Sequence, residues 1–314
     1  MSASIVRMLD AATGARLRDR LEQVGFVIGT APYAHWSAKG PGVSVTHYLK
    51  GKLLVQGKDA DEFSVTYMDD PDDPLFGSPA TSGSKSGKHD NLPPGANDVT
   101  VPIIGTDESG KGDYFGPLVT AGVLLRPADA AVLAALGVRD SKEVKDKEAL
   151  SLAGQIEEAY GDRVCVVAIG PARYNELHGQ FGGNLNRLLA WAHGTVIATL
   201  IERHPECRHA LVDRFASERL VAGELNKREI DIDLQQRVRA EAHPAVAAAS
   251  IVARARFLRA LDRLSRDAGV KLRKGAGAPV DAVARELFLG GGLEKLRGVA
   301  KLHFRTTDKA RGTA

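Results

Sequence analysis

Twenty-two residues, Gly77 to Asp98, read GSPATSGSKSGKHDNLPPGAND. Gly, Ser and Pro dominate them and no apolar periodicity runs through them, which is the composition of a flexible connector rather than of a packed element. Such a connector limits what the chain can become: it divides the 314 residues into a small unit over 1–76 and a larger one over 99–314.

The small unit opens with Leu17, Leu21 and Val24 at helical spacing among charged residues. The runs Phe26–Ile28, Val43–Tyr48 and Lys52–Gln56, set off by Gly40, Gly42, Gly51 and Gly57, are predicted strands. A helix with a small antiparallel sheet follows, and no catalytic cluster. Tyr33, His35, Trp36 and Lys39 can be a stacking surface for nucleic acid or ordinary surface and core residues. The larger unit reads as a strand at Val99–Gly105, a glycine-rich turn and a strand at Leu118–Leu125. Helices over 127–136 and 146–159, a buried strand at Val164–Gly170, a long helix at Asn184–Arg203 and a short strand at His209–Asp213 come next. From Ala245 the chain is mostly helical, to 268 and again over 279–297. Strands first and helices later, with some alternation, predict an α/β unit with a mixed sheet.

Hydrophobic residues make up 44% and aromatics 5%, so the core must be built mainly from Ala, Val, Leu and Ile. Cys165 and Cys207 cannot form a disulfide framework, no apolar stretch approaches the ~20 residues of a membrane span, and no basic-then-apolar segment opens the chain. The expectation is a cytoplasmic protein without a membrane partner. The net charge of +3 is unevenly spread: residues 59–73 hold seven acids and no bases, whereas 251–314 hold fifteen Lys/Arg against six Asp/Glu. The basic third suits a polyanionic partner or a solvated helical surface.

The chemistry concentrates in Gly105–Gly122, GTDESGKGDYFGPLVTAG. An apolar run with Val101, Ile103 and Ile104 leads into adjacent carboxylates, Asp107 and Glu108. Neighbours in a regular strand point to opposite faces, so two adjacent acids can share a metal where the strand ends and turns; Ser109–Gly112 is predicted to supply that turn. A carboxylate behind an apolar run is costly unless a cation or donors satisfy it, although a plain surface turn is the other reading. Asp213 has the same setting, ending Ala210–Val212. If the two strands are neighbours, the three acids converge as oxygen ligands of the kind Mg²⁺ takes, and such a set can hold two ions roughly 3.5–4 Å apart. Gly105–Lys111 also fits the start of a phosphate-binding P-loop, but Gly112 replaces the required Ser/Thr, Asp113–Pro117 does not open a helix, and two acids inside the loop would repel phosphate.

Gly105–Gly122 resembles the opening motif of type 2 ribonucleases H, and Tyr114-Phe115-Gly116-Pro117 is similar to the HIII branch of that family. Arg139-Asp140-Ser141-Lys142, Tyr174–Leu177, Asn184-Leu185-Asn186, Leu189-Ala190-Trp191, Asp213, Ala245–Arg254, Lys274–Gly277 and Val299–Phe304 resemble further blocks of the family in order, and Leu49–Gly57 is similar to its small N-terminal domain. The resemblance implies an α/β ribonuclease H-like mixed sheet with flanking helices, plus a small N-terminal α+β domain of TATA-binding-protein-like fold that binds substrate. It implies an endonuclease hydrolysing the RNA strand of RNA/DNA hybrids to 5′-phosphate and 3′-hydroxyl ends, with two divalent ions, Mg²⁺ or Mn²⁺, and working as a monomer. Incision at single ribonucleotides in DNA, as in the HII branch, and hybrid binding without activity are the alternatives.

Residue by residue, the resemblance makes Asp107, Glu108 and Asp213 metal ligands and catalytic residues. The fourth catalytic acid is assigned to Glu241, which precedes Ala245; a solvated helix-start glutamate is its other reading, with Asp231 and Asp233 as substitutes. Gly110, Lys111 and Gly112 are assigned to the substrate backbone, and Tyr114, Ser141, Lys142, Asn184 and Asn186 to further substrate contacts. Turn and helix-cap duty is the other reading of Ser141 and the asparagines. His193 and His243 are expected to be packed rather than ligands.

Overall fold

The computed structural model describes residues 3–57, 59–68, 98–138, 144–215 and 218–313. The expected connector therefore lies outside the described residues apart from Asp98, as do Ser141 and Lys142. The chain forms two compact units.

In the first unit, β1 (Ala3–Met8), α1 (Ala11–Gln23), β2 (Val27–Gly29), β3 (Ala34–Gly40), β4 (Val43–Tyr48), β5 (Lys52–Gly57) and α2 (Ala60–Tyr67) follow one another. The strands make one antiparallel sheet in the order β1-β5-β4-β3-β2. Asp10 starts α1 by accepting the Thr13 N–H at 2.7 Å, and Leu17 and Leu21 carry its buried stripe. Strands β1 and β3 escape the sequence reading. β3 is AHWSAKG, with only Trp36 and Ala38 on its buried face, too sparse an alternation to stand out. Trp36 is accordingly core, while Tyr33 is exposed.

The second unit runs β6 (Ile103–Ser109), β7 (Leu118–Leu125), α3 (Asp129–Leu136), α4 (Asp146–Tyr160), β8 (Val164–Ile169), α5 (Pro171–Gln180), α6 (Leu185–Arg203), β9 (His209–Asp213), α7 (Glu218–Asn226), β10 (Asp233–Arg237), α8 (Pro244–Ala268), α9 (Ala278–Arg297, broken at Gly291–Gly292) and α10 (Arg305–Arg311). Its five-stranded sheet has the order β10-β9-β6-β7-β8. The pairs β10–β9 and β9–β6 are parallel, and β6–β7 and β7–β8 antiparallel, so the sheet is mixed as expected.

Helices cover both faces. α6 is capped by Asn184, whose Oδ1 accepts the N–H groups of Asn186 and Arg187 at 3.0 and 3.2 Å. α8 has His243 at its cap and Pro244 in its first turn, and it stops at Gly269, which takes the left-handed conformation at φ +69°. Two glycines let the helices close onto the sheet. A side chain at Gly105 would strike the backbone of Ala245 and Val246 in α8, and one at Gly122 would strike Val196 in α6. The alanine-rich start of α8, buried from Ala245 through Ala249, is the matching surface, since small side chains permit close approach. No helix among the described residues is long and apolar enough to cross a membrane.

Candidate active site

Strand β6 does not end at its acids. It pairs with β7 through Asp107–Ala121, Glu108–Thr120 and Ser109–Val119, so the turn expected to bring the two carboxylates together begins only at Gly110. Alternation therefore holds. Thr106 and Glu108 face α6, where His193 meets both: Nδ1 lies 2.8 Å from the Thr106 hydroxyl and Nε2 3.2 Å from Glu108 Oε2. A carboxylate only accepts, so Nε2 is the donor in the contact with Glu108. Asp107 faces α8 and receives a side-chain hydrogen bond from Ser250.

What brings acids from opposite faces to one place is the end of the neighbouring ladder. β6 and β9 pair over Ile104–Ala210, Gly105–Leu211 and Thr106–Val212, and the next residues in register are Asp107 and Asp213. Beyond this rung the backbones are no longer paired to each other, and side chains of either parity can reach the gap. Asp213 is held by the main-chain N–H of Ala240 at 2.9 Å. That contact ties β9 to the short 3₁₀ turn Ala240–Ala242, which carries Glu241 and leads into α8. Arg239, just before the turn, adopts φ +57°, a left-handed conformation uncommon for a side chain of its size.

Asp107, Glu108, Asp213 and Glu241 line one pocket of about 200 Å³, together with Ser109, Ser250 and Arg254. Burial, then the charges of Glu108 and Asp213, push the Asp107 carboxyl well above the usual carboxylate range, against the opposing hydrogen bond from Ser250. Among the described residues no three His, Cys, Asp or Glu side chains close around one point as in a complete metal centre. The acids line a recess between β6, β9 and the turn before α8 instead.

Ser250 and Arg254 sit one turn apart on α8, the spacing that puts both on one helix face. Arg254 donates to the Val144 carbonyl at 2.8 Å and to Asp146 at 2.6 Å; Asp146 also pairs with Lys274 at 2.6 Å. These cations hold the Asp146 carboxyl below its ordinary range, the hydrogen bond from Lys274 most of all. Neither Ser250 nor Arg254 was among the predicted site residues. Their signal was present as two polar residues four apart in the otherwise apolar first part of α8, AVAAASIVAR.

The ribonuclease HII family model matches residues 104–307, the stretch that contains all four acids, and a family described as a domain of unknown function matches residues 4–78. Ribonuclease HIII of Protochlamydia amoebophila is 40% identical over 310 residues, covering 98% of this chain and 96% of that protein. Ribonuclease HIII of Chlamydia caviae is 38% identical, covering 98% of each. The crystal structure of Bst-RNase HIII in complex with Mn²⁺ superposes with a TM-score of 0.65 at 30% identity, over 99% of this chain and 98% of that one. This chain belongs to the ribonuclease HIII family.

For a ribonuclease HIII family member, the predicted substrate contacts fall into two sets. Gly110 leaves β6 at φ +92°, where a side chain would collide with the Pro117 carbonyl and Phe257. Gly112 is exposed, with nothing near the place a side chain would occupy, and Lys111 between them is half-buried. The assignment of Tyr114 is corrected: its side chain is fully buried, its hydroxyl lies 3.2 Å from Thr307 Oγ1, and its ring packs on Phe115 and Phe304. Asn184 and Asn186 are buried too, and Asn184 spends its carbonyl oxygen on the α6 cap. Helix capping, the other reading of Asn184, describes its place. His243 is packed, its Nδ1 accepting the Ala245 N–H at 3.2 Å, and burial lowers its pKa to about 4.

Proposed function

We propose that this ribonuclease H hydrolyses the RNA strand of RNA/DNA hybrids at the pocket of Asp107, Glu108, Asp213 and Glu241, with divalent ions, Mg²⁺ or Mn²⁺, held by those carboxylates. One observation carries this reading: four acids from β6, β9 and the turn before α8 line a single small pocket. Hard divalent cations suit such a donor set: burial and then the neighbouring acids raise the Asp107 pKa, and a bound cation would offset both. The crystal structure of Bst-RNase HIII with Mn²⁺ supports a divalent ion in the family. When bound, two such ions supply Lewis acidity to the attacking water and to the leaving 3′-oxygen.

The chain's own groups do the positioning. Ser250 orients Asp107, His193 holds Glu108 from the other face of the sheet, and the Ala240 amide holds Asp213. The loop Gly110–Gly112 offers main-chain N–H groups and the Lys111 ammonium to a phosphate, contacts that place a backbone without reading its sequence. RNA is told from DNA through its 2′-hydroxyl and the minor-groove shape of the hybrid. We assign residues 1–76 to substrate binding and 99–314 to hydrolysis, in a monomeric cytoplasmic protein.

The deciding assay uses end-labelled RNA/DNA hybrid with Mg²⁺ or Mn²⁺, beside a DNA duplex with one embedded ribonucleotide. Internal cleavage of the continuous RNA strand to 3′-hydroxyl ends, abolished by chelator, is expected. Cleavage that survives chelation, or cleavage restricted to the single-ribonucleotide duplex, would overturn the reading.

A further inference from the structure

Lys301 is fully buried, yet among the described residues its ammonium meets main-chain carbonyls rather than a carboxylate. Nζ donates to the main-chain carbonyls of Asp113 at 2.7 Å and Gly116 at 2.9 Å, and lies 5.6 Å from the centre of the Tyr174 ring. Its own N–H donates to the Tyr114 carbonyl at 2.9 Å, and the Gly116 N–H donates to Val299 at 2.9 Å. A bridge between Phe115 and Ala300 completes the seam. The carbonyls of residues 113, 114 and 116 are thus all taken up by Lys301.

Taking an ammonium out of water is expensive, and an apolar side chain of similar length would fill the same space at lower cost. Burial drags the Lys301 pKa to about 7, with Asp113 opposing. What an apolar side chain cannot do is turn two carbonyls inward. Those carbonyls belong to the segment that leaves Gly112. The loop Gly110–Gly112 is therefore anchored at both ends: by the β6–β7 ladder, whose last pair is Ser109–Val119, and by Lys301. Asp113 adds a third hold through its carboxylate, which accepts the Gly275 N–H at 2.5 Å.

We propose that Lys301 is a positioning residue for the glycine loop, setting affinity for the duplex without entering the hydrolytic step. This rests on the reading that Gly110–Gly112 approaches the phosphate backbone. Peptide N–H groups bind a phosphate only if their orientation is set beforehand, and a loop with two glycines has no orientation of its own.

The test uses the full chain with Lys301→Met, Lys301→Gln and Lys111→Ala, assayed on labelled hybrid with saturating Mg²⁺. Lys301→Met should raise KM roughly tenfold and leave kcat within about twofold, the signature of lost binding rather than lost chemistry. Lys301→Gln, which keeps amide donors for the two carbonyls, should fall between Met and the natural residue. Amide exchange of residues 110–117 should accelerate in Lys301→Met while that of β7 stays slow. A drop in kcat at unchanged KM, faster exchange throughout the sheet, or failure of both Lys301 variants to fold would overturn the proposal. If Lys111→Ala raises KM and the Lys301 variants do not, the proposal alone fails. If Lys111→Ala leaves KM unchanged, the loop reading itself is lost.

Discussion

The main-chain N–H of Ala240 donates to the carboxylate of Asp213 at 2.9 Å. One side chain thereby serves as charge in the pocket and as anchor for the turn that carries Glu241. The two roles can be separated. Asp213→Asn keeps an acceptor oxygen and loses the charge, so hydrolysis should fall by at least ~100-fold with the fold intact. Asp213→Ala also removes the acceptor and should cost about 1–3 kcal/mol of stability besides. Glu241→Gln should lower kcat far more than hybrid affinity. Near-natural turnover in either Asp213→Asn or Glu241→Gln would take that residue out of the site.

The crowding of acids also predicts a pH effect on stability. The Asp107 carboxyl is pushed well above its ordinary value of 3.8, by burial first and then by Glu108 and Asp213. A folded state that binds its proton more tightly than the unfolded state loses stability as pH rises from the unfolded toward the folded pKa. Without divalent ions, the thermal midpoint should thus fall as pH climbs above about 4, and Asp107→Asn should flatten the fall. Added Mg²⁺ should raise the midpoint of the natural chain more than that of Asp107→Asn. Equal responses of both proteins would count against the carboxylate cluster as the ion site.

His193 bridges Thr106 and Glu108 from within α6. Groups that orient a metal-binding carboxylate typically influence activity by 10–100-fold, so His193→Ala should reduce kcat by roughly that factor. It also strands the buried Thr106 hydroxyl and opens a cavity, so a loss of a few kcal/mol in chemical denaturation is expected. A variant as unstable as this but fully active would limit His193 to packing.

For Lys301 the sign runs the other way. Its pKa falls from 10.5 to about 7 in the folded chain, with burial the main cause and Asp113 opposing. The unfolded chain therefore binds more protons between those values, and stability from this group should rise with pH across that window. His178 and His303, stacked beside Tyr174, both have pKa values lowered by burial and stay neutral there. Lys301→Met should remove this rise; denaturant midpoints measured from pH 7 to 10 check it.

Deleting residues 1–76 tests the assignment of the N-terminal unit. Tethered binding raises effective concentration, so the truncated chain should show a strongly raised KM on long hybrids and a nearly unchanged kcat. An unchanged KM would leave the unit without a role in substrate capture.

Strands bounded by clear apolar runs were legible in the sequence: β7 and β9 fall at Leu118–Leu125 and His209–Asp213 as read. So were α6 and α8, whose starts are marked by Asn184 and by His243-Pro244. β10 was not, because DLQQR has a single apolar residue and needs only one neighbour, at the sheet's edge. The acids of the pocket were legible as a set, but their geometry was not. Whether β6 ends before or after Asp107 depends on its pairing with β7, which no local pattern contains. Tyr114 misled for the same reason: its burial is made by Thr307 and Phe304, almost two hundred residues away.

The parallel seam between β6 and β9 closes at Thr106 and Val212, and the following register position is Asp107 opposite Asp213. Where a sheet would ordinarily set one more pair of backbone bonds, this chain sets two carboxyl groups. On the proposed reading, an ion there acts as the final stitch, joining strand tips that otherwise push apart. The same contact that readies the pocket for chemistry would stiffen the sheet, so ion binding should be visible in backbone amides at the ends of β6 and β9 even without nucleic acid.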